Sequence, residues 1–250
     1  MAETLTVVAG DSNTIAYDVQ GSGPAVMLIT GFGTHRGWWH ESGYVEALAE
    51  DFTVICPDPL GHGDSDKPHD PVNYSEERLV EHTVAVLDAL GVDQCHVWGY
   101  SRGALIAAFV GWAYPERVQT LVLGGVPITA AAPSVELGEA LMEGNWDVFW
   151  DGFPVPVDEA GRELAESTND PRALGATLLG RGATHWRAFD CPVVGYLGDG
   201  EDFLGEVLPE ARRLKIPMAV LATGGHMETF FAAQQSLELV RPFLGRGPAA

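Results

Sequence analysis

Short, unbroken apolar runs recur along this chain, and longer segments with helical apolar spacing lie between them. Ala25-Val26-Met27-Leu28-Ile29-Thr30 is followed by Val54–Cys56, His96–Trp98, Val118–Leu123, Val193–Leu197 and Met218–Leu221. A strand that is apolar at every position must be covered on both faces, which is the mark of a parallel sheet. Among the intervening segments, Ser75–Leu90 places Leu79, Ala85, Val86, Ala89 and Leu90 on one stripe, with Ser75 positioned to cap it. Ser101–Tyr114 is a second helix, ended by Pro115, and Met227–Leu244 reads as one last helix. Its stripe runs through Phe230, Phe231, Leu237, Val240 and Leu244. Alternation of this kind predicts an α/β fold, a mostly parallel sheet with helices on both faces. At the front, Leu5–Ala9 and Thr14–Val19 flank a Gly-Asp-Ser-Asn turn and predict a hairpin.

The rhythm breaks between Pro127 and Ala188, where no buried strand is evident. Small residues give way there to Asn145-Trp146-Asp147-Val148-Phe149-Trp150 and then to the proline-punctuated FPVPVDE. The expected organisation is a core of residues 1–126 and 189–250, interrupted by a helical insertion over 127–188. With 250 residues, 46% of them hydrophobic, the chain can bury one large core. A formal net charge of -21 repels a phosphate backbone or an anionic bilayer, so neither nucleic acid nor membrane is an expected partner. No apolar run approaches the roughly 18 residues of a membrane span, and the acid-bearing start MAETLTVVAG does not resemble a signal peptide. Cys56, Cys95 and Cys191 lie far apart beside strand-like runs, a pattern of buried free thiols in a reducing compartment. A cytoplasmic protein is the expectation.

Where a parallel strand ends, catalytic groups gather. Val97-Trp98-Gly99-Tyr100-Ser101-Arg102-Gly103 puts a serine at such an end, with glycines two before and two after it. Gly-x-Ser-x-Gly between strand and helix is the nucleophile elbow, a sharp turn that lifts the hydroxyl above the sheet. The competing role is that of a helix cap. A serine nucleophile needs a base, and chain order puts a histidine after the last strand. Gly224-Gly225-His226 meets that requirement. Of the other histidines, His62 lies in a glycine-rich loop and His96 within a strand, whereas His35 and His40 are placed to line a pocket. His69, His82 and His185 have no motif around them. The acid that orients His226 is ambiguous, because Gly198-Asp199-Gly200-Glu201-Asp202 offers three carboxylates. An oxyanion hole needs backbone N–H groups. Phe32, in the Thr30-Gly31-Phe32-Gly33 loop, and Arg102, after the serine, are the candidate donors.

TGFG at 30–33, PDPLGHGDSDKP at 57–68, GYSRG at 99–103, YLGDGED at 196–202 and GGHMETF at 224–230 together resemble the α/β-hydrolase superfamily. The resemblance covers essentially the whole chain. It implies an eight-stranded, mostly parallel core with a helical lid inserted after the sixth strand. In similar sequences the acid stands three positions after the glycine that ends the seventh strand. Counting from Gly198 gives Glu201, with Asp202 and Asp199 as one-residue and two-residue alternatives. Dehalogenases and soluble epoxide hydrolases of this branch carry Asp where this chain has Ser101, which disfavours those chemistries. Thr30 replaces the usual His of the oxyanion loop, and Ala104 replaces a common Gly. Arg102 replaces an apolar residue or glutamine, and its side chain either selects an anionic substrate group or reaches solvent.

The resulting expectation is a serine hydrolase of the esterase or lactonase kind, with Ser101, His226 and an acid as its triad. It would act on an ester, thioester or lactone of a moderately hydrophobic small molecule, without metal or organic cofactor. Trp38, Trp39, Trp146, Phe149, Trp150 and Phe153 are the aromatic residues set to line its pocket, although aromatic residues at such spacing also build cores. Carbon–carbon bond hydrolysis and cofactor-free perhydrolysis are alternatives with the same triad. A non-catalytic small-molecule-binding protein is the alternative from another class.

Overall fold

A computed structural model describes residues 3–128, 134–151 and 159–245. Its strands are β1 (Leu5–Val8), β2 (Thr14–Gly21), β3 (Ala25–Ile29), β4 (Thr53–Pro57), β5 (Cys95–Tyr100), β6 (Val118–Gly124), β7 (Val193–Gly198) and β8 (Met218–Leu221). They form one eight-stranded sheet in the order β1-β2-β4-β3-β5-β6-β7-β8. The β1–β2 and β2–β4 pairs are antiparallel and every other pair is parallel. The predicted hairpin is β1–β2, and the six uniformly apolar runs are the six parallel strands.

The helices are α1 (Gly37–Glu41), α2 (Tyr44–Leu48), α3 (Glu76–Ala89), α4 (Arg102–Ala113), α5 (Val135–Met142), α6 (Asp147–Asp151), α7 (Glu159–Thr168), α8 (Pro171–Leu179), α9 (Leu204–Arg213), α10 (His226–Phe231) and α11 (Ala233–Leu244). In the parallel register Met27 lies beside Val97 and Val97 beside Leu121, so these side chains share one face of the sheet. That face packs against α3, α4 and α9 through Leu79, Val86, Ile106, Val110 and Val207. Leu28, Trp98, Val122 and Tyr196 point the other way and meet Trp39, Leu48, Phe230 and Val240 from α1, α2, α10 and α11. Burial on both faces is why these strands show no polar alternation. Full burial of each such side chain stabilises the fold by roughly 1.5–3 kcal/mol.

Helix α3 begins where the sequence predicts, and the Ser75 hydroxyl accepts from the Arg78 N–H at 3.4 Å. The last helix differs from expectation. Ala232, at φ -79° and ψ 53°, leaves the helical region and divides the segment into α10 and α11. The division lets Phe230 enter the aromatic core beside Trp39 and Tyr44, while Phe231 turns outward and stacks on Trp38 at 5.6 Å. Between β6 and β7 the regular elements among the described residues are the helices α5 to α8, with no strand. Helices α5 and α8 pack at Gly138 and Gly175, where a Cβ on Gly175 would come within 2.6 Å of the Gly138 carbonyl oxygen.

Candidate active site

Ser101 follows β5 and sits at φ 55°, ψ -121°, a conformation that L-residues avoid unless their surroundings impose it. The surroundings are backbone. A Cβ on Gly99 would meet the Gly103 carbonyl oxygen at 2.2 Å, and one on Gly103 would meet that of Ile29 at 2.0 Å. The strand and α4 can approach this closely only because both positions are glycine. The Ser101 N–H donates to the Gly124 carbonyl oxygen at 2.8 Å and ties the turn to β6. The Ser101 hydroxyl makes no capping hydrogen bond to α4. It opens instead on a cavity of about 550 Å³.

His226 opens α10 and lines the same cavity. Its Nδ1–H donates to Glu201 Oε1 at 2.9 Å, with the Glu201 side chain only 4% exposed. Of the three candidate carboxylates, Glu201 is the one that meets the imidazole. Asp199 holds the histidine loop by its backbone, accepting from the Gly224 N–H at 2.9 Å. The Gly200 N–H donates to the Gly224 carbonyl oxygen at 2.9 Å, so the acid loop and the histidine loop are joined twice. Asp202 is exposed at the cavity rim. Tyr100 also fixes His226: its hydroxyl donates to the His226 carbonyl oxygen at 2.6 Å, and the rings lie 5.2 Å apart. Its place in the elbow beside the serine was the available signal for this residue, which the sequence reading did not use.

Phe32 and Arg102 flank Ser101. Gly31 lies against the serine, where a Cβ would approach the Ser101 Cβ to 3.3 Å. Among the described residues, the Phe32 amide makes no hydrogen bond. The Arg102 amide is the first of α4 and has no intrahelical partner. Both donors are therefore available to an oxygen at the serine.

The aromatic residues divide. Trp38 and Phe149 line the cavity, together with Phe32, Tyr100, Phe203 and Phe230. Trp39 does not: it is fully buried behind the sheet, edge-on to Tyr44 and Trp98. Trp146 and Trp150 pack on Phe149 from the far side, in a cluster with Leu141 and Leu174. They support the wall and do not line it. Phe153 lies outside the described residues.

His35 and His40 do not line the cavity either. His40 Nε2 bonds the Asp18 carboxylate at 3.0 Å, and the His35 ring accepts from the Gly37 N–H at 3.1 Å. Through Asp18, His40 joins an ion cluster centred on Arg36, whose guanidinium engages Asp18, Asp58 and Asp64. Asp58 also accepts from the backbone N–H groups of Arg36 at 2.7 Å and Asp64 at 2.9 Å. The cluster pins the PDPLGHGDSD loop to the segment that carries Phe32. Asp18, His40 and Cys56 offer ligand atoms within 4.8 Å of one another, but the Arg36 guanidinium already neutralises the Asp18 carboxylate there. His62 is buried beside Phe32, and burial, with the nearby Arg102 charge, pushes its pKa down to about 3.

Residues 24–154 match the family described as alpha/beta hydrolase fold. The chain belongs to that family. A 2-hydroxymuconate semialdehyde hydrolase of Pseudomonas putida is 41% identical over 204 residues, 67% of this chain and 72% of the relative. Epoxide hydrolase 2 of Siraitia grosvenorii is 34% identical over 117 residues, 46% of this chain and 36% of its own length. The first relatives are thus matched over well under two thirds of their length, 32% in the case of an uncharacterized Mycobacterium tuberculosis protein. Among solved structures, a thermophilic esterase from Thermogutta terrifontis superposes with a TM-score of 0.81 at 20% identity. That similarity covers 98% of this chain and 99% of the esterase, and at such identity it is a likeness of fold. No helix among the described residues is long and apolar enough to cross a membrane.

Proposed function

We propose that the protein is a serine hydrolase that cleaves a carboxylic ester, thioester or lactone of a small molecule through an acyl-enzyme. The observation that carries this reading is the 2.9 Å bond from His226 to buried Glu201, on the cavity into which the strained Ser101 projects. Glu201 holds the imidazole with its proton on Nδ1, leaving Nε2 free to take the serine proton. Ser101 Oγ attacks the carbonyl carbon as that proton leaves. The Phe32 and Arg102 amides receive the oxyanion, each such donor being worth about 3–4 kcal/mol in the transition state. His226 then protonates the leaving group and deprotonates the water that frees the acyl portion. None of these steps calls on a metal or an organic cofactor.

A cavity of about 550 Å³ suits a small organic substrate, and its aromatic walls favour a moderately hydrophobic one. The helices between β6 and β7 act in this reading as a lid, with Phe149 as their contribution to the wall. The test is turnover of p-nitrophenyl esters together with labelling by a fluorophosphonate. Wild type should hydrolyse the esters and be labelled at Ser101, and Ser101→Ala should do neither. Equal inertness of the two proteins, without labelling, would leave a binding protein on this fold. Hydrolytic carbon–carbon cleavage is the second reading, favoured by the Pseudomonas putida relative. Faster turnover of a vinylogous 1,5-diketone than of any ester would select it.

A further inference from the structure

Ser101 opens on two cavities. The larger contains His226. The smaller, of about 190 Å³, leads from Phe32 and Ser101 towards Arg102, Arg181, Thr184 and Trp186. His226 is not on its wall. A leaving group must depart beside the imidazole that protonates it, so the larger cavity takes the leaving group. The smaller one receives the portion that stays bonded to Ser101.

Its wall is chemically unusual for this protein. The Arg102 side chain is buried, with the residue 7% exposed, and its Nε has no hydrogen-bond partner. The Nε of Arg181 and the hydroxyl of Thr184 are likewise buried without partners. Among the described residues no carboxylate lies within ion-pair distance of either guanidinium. The largely buried Arg36, by contrast, is met by three aspartates. An unpaired buried donor costs roughly 1–3 kcal/mol, and more when it is charged. Here two positive groups also repel each other. Burial and the Arg181 charge push the Arg102 pKa down to about 9, which still leaves it cationic at neutral pH. Glu76 attracts Arg181 electrostatically but forms no ion pair with it. An anion entering the cavity would satisfy the orphaned donors and separate the two cations. Guanidinium forks fit the two oxygens of a carboxylate.

We propose that this cavity is a carboxylate-binding subsite, and that the substrate is a half-ester, half-thioester or lactone whose acyl portion ends in a second carboxylate held by Arg102, Arg181 and Thr184. The assignment rests on the acyl-enzyme reading above for its orientation, and on the orphaned donors for its charge.

The experiment pairs p-nitrophenyl hemisuccinate, hemiglutarate and hemiadipate with the neutral p-nitrophenyl esters of the same chain length, after subtraction of uncatalysed hydrolysis. In wild type at least one charged ester should exceed its neutral counterpart in kcat/KM by tenfold or more. Arg181→Met should lower that ratio at least tenfold, with Arg181→Lys recovering part of it. Circular dichroism of both variants guards against misfolding, and Thr184→Val supplies a third variant with a smaller drop in the same ratio. A ratio of one or less at every chain length, or a ratio unmoved by Arg181→Met, overturns the subsite. If no ester of either kind is turned over and the fluorophosphonate does not label, the hydrolase reading has failed. Calorimetric titration with glutarate then decides the subsite separately. Glutarate binding that Arg181→Met abolishes upholds it, and the absence of glutarate binding overturns it.

Discussion

Glu201 and His226 meet at 2.9 Å although they arrive on different loops, one after β7 and one after β8. The two loops are joined by two further hydrogen bonds, from the Gly200 N–H to the Gly224 carbonyl oxygen and from the Gly224 N–H to the Asp199 carboxylate. The two neighbouring acids therefore have different work, which separates the expected effects of removing each charge. Glu201→Gln should lower kcat by about 10²–10⁴, because the imidazole loses the anion that fixes its tautomer and stabilises its cation. Asp202→Asn, at the rim, should change kcat/KM less than about threefold. Asp199→Ala should fall between them, since it loosens the histidine loop and leaves the Glu201 bond possible. Steady-state kinetics on one ester decides the order, and full activity in Glu201→Gln would contradict it.

Acid sensitivity follows from two buried imidazoles outside this pair. Burial pushes His62 down to about 3 and His96 to about 4, against 6.5 in the open chain. Both folded values lie below the unfolded one, so the unfolded chain binds more protons between them. Their stabilisation is complete above pH 6.5 and is lost as the pH falls towards 4 and then 3. Near pH 5 these two groups alone make unfolding take up close to two protons, each contributing a slope of about 1.4 kcal/mol per pH unit. Asp58 and Glu76, held above the usual carboxylate range chiefly by burial, act in the opposite sense. The difference between proteins isolates the histidine contribution. His96→Gln should flatten the dependence of urea-unfolding free energy on pH by about one proton between pH 5 and 6.

The parallel strands were legible because burial on both faces leaves an unbroken apolar run, as in Ala25–Ile29, and the elbow because two glycines must frame its serine. The choice among Asp199, Glu201 and Asp202 was not legible from residue types, since it depends on how two loops separated by 25 positions are laid against each other. The aromatic residues show the same limit. Trp38 and Trp39 are neighbours in sequence, yet one lines the cavity and the other is buried under the sheet. Helical spacing cannot say which face of a short helix meets solvent, substrate or core. The Arg102 side chain was ambiguous for a related reason: it lines a cavity whose facing residues, Arg181 and Thr184, come from some eighty residues further along.

All three cysteines are buried and free. Burial pushes the Cys95 thiol up to about 12 and the Cys191 thiol to about 11, and raises that of Cys56 as well. The thiolate is the reactive form, so native protein should release less than about one tenth of the Ellman colour that urea-unfolded protein releases at pH 8. Rapid reaction of a native thiol would place one of them nearer the surface than it is here.

Arg36 offers the largest expected loss of stability outside the core. Its guanidinium engages three aspartates, of which the Asp58 side chain is fully buried and that of Asp18 is 4% exposed. Arg36→Met leaves two carboxylates in a poorly solvating site without the guanidinium that joined them, and Asp58 without an ion-pair partner. Removing one partner of a buried ion pair costs about 3–5 kcal/mol, most of it the penalty of the charge left behind. Arg36→Lys should recover little, because one ammonium cannot reach three carboxylates that a planar fork spans. The double change of Arg36→Met with Asp58→Asn should be less damaging than the two single losses added together, as coupled partners are not additive. Urea unfolding of the four proteins measures this directly. The same loop anchors the segment that carries Phe32, so Arg36→Met should also lower kcat on the ester at temperatures where the protein is still fully folded. A loss of stability without any loss of kcat would show that the cluster supports the fold and not the oxyanion loop.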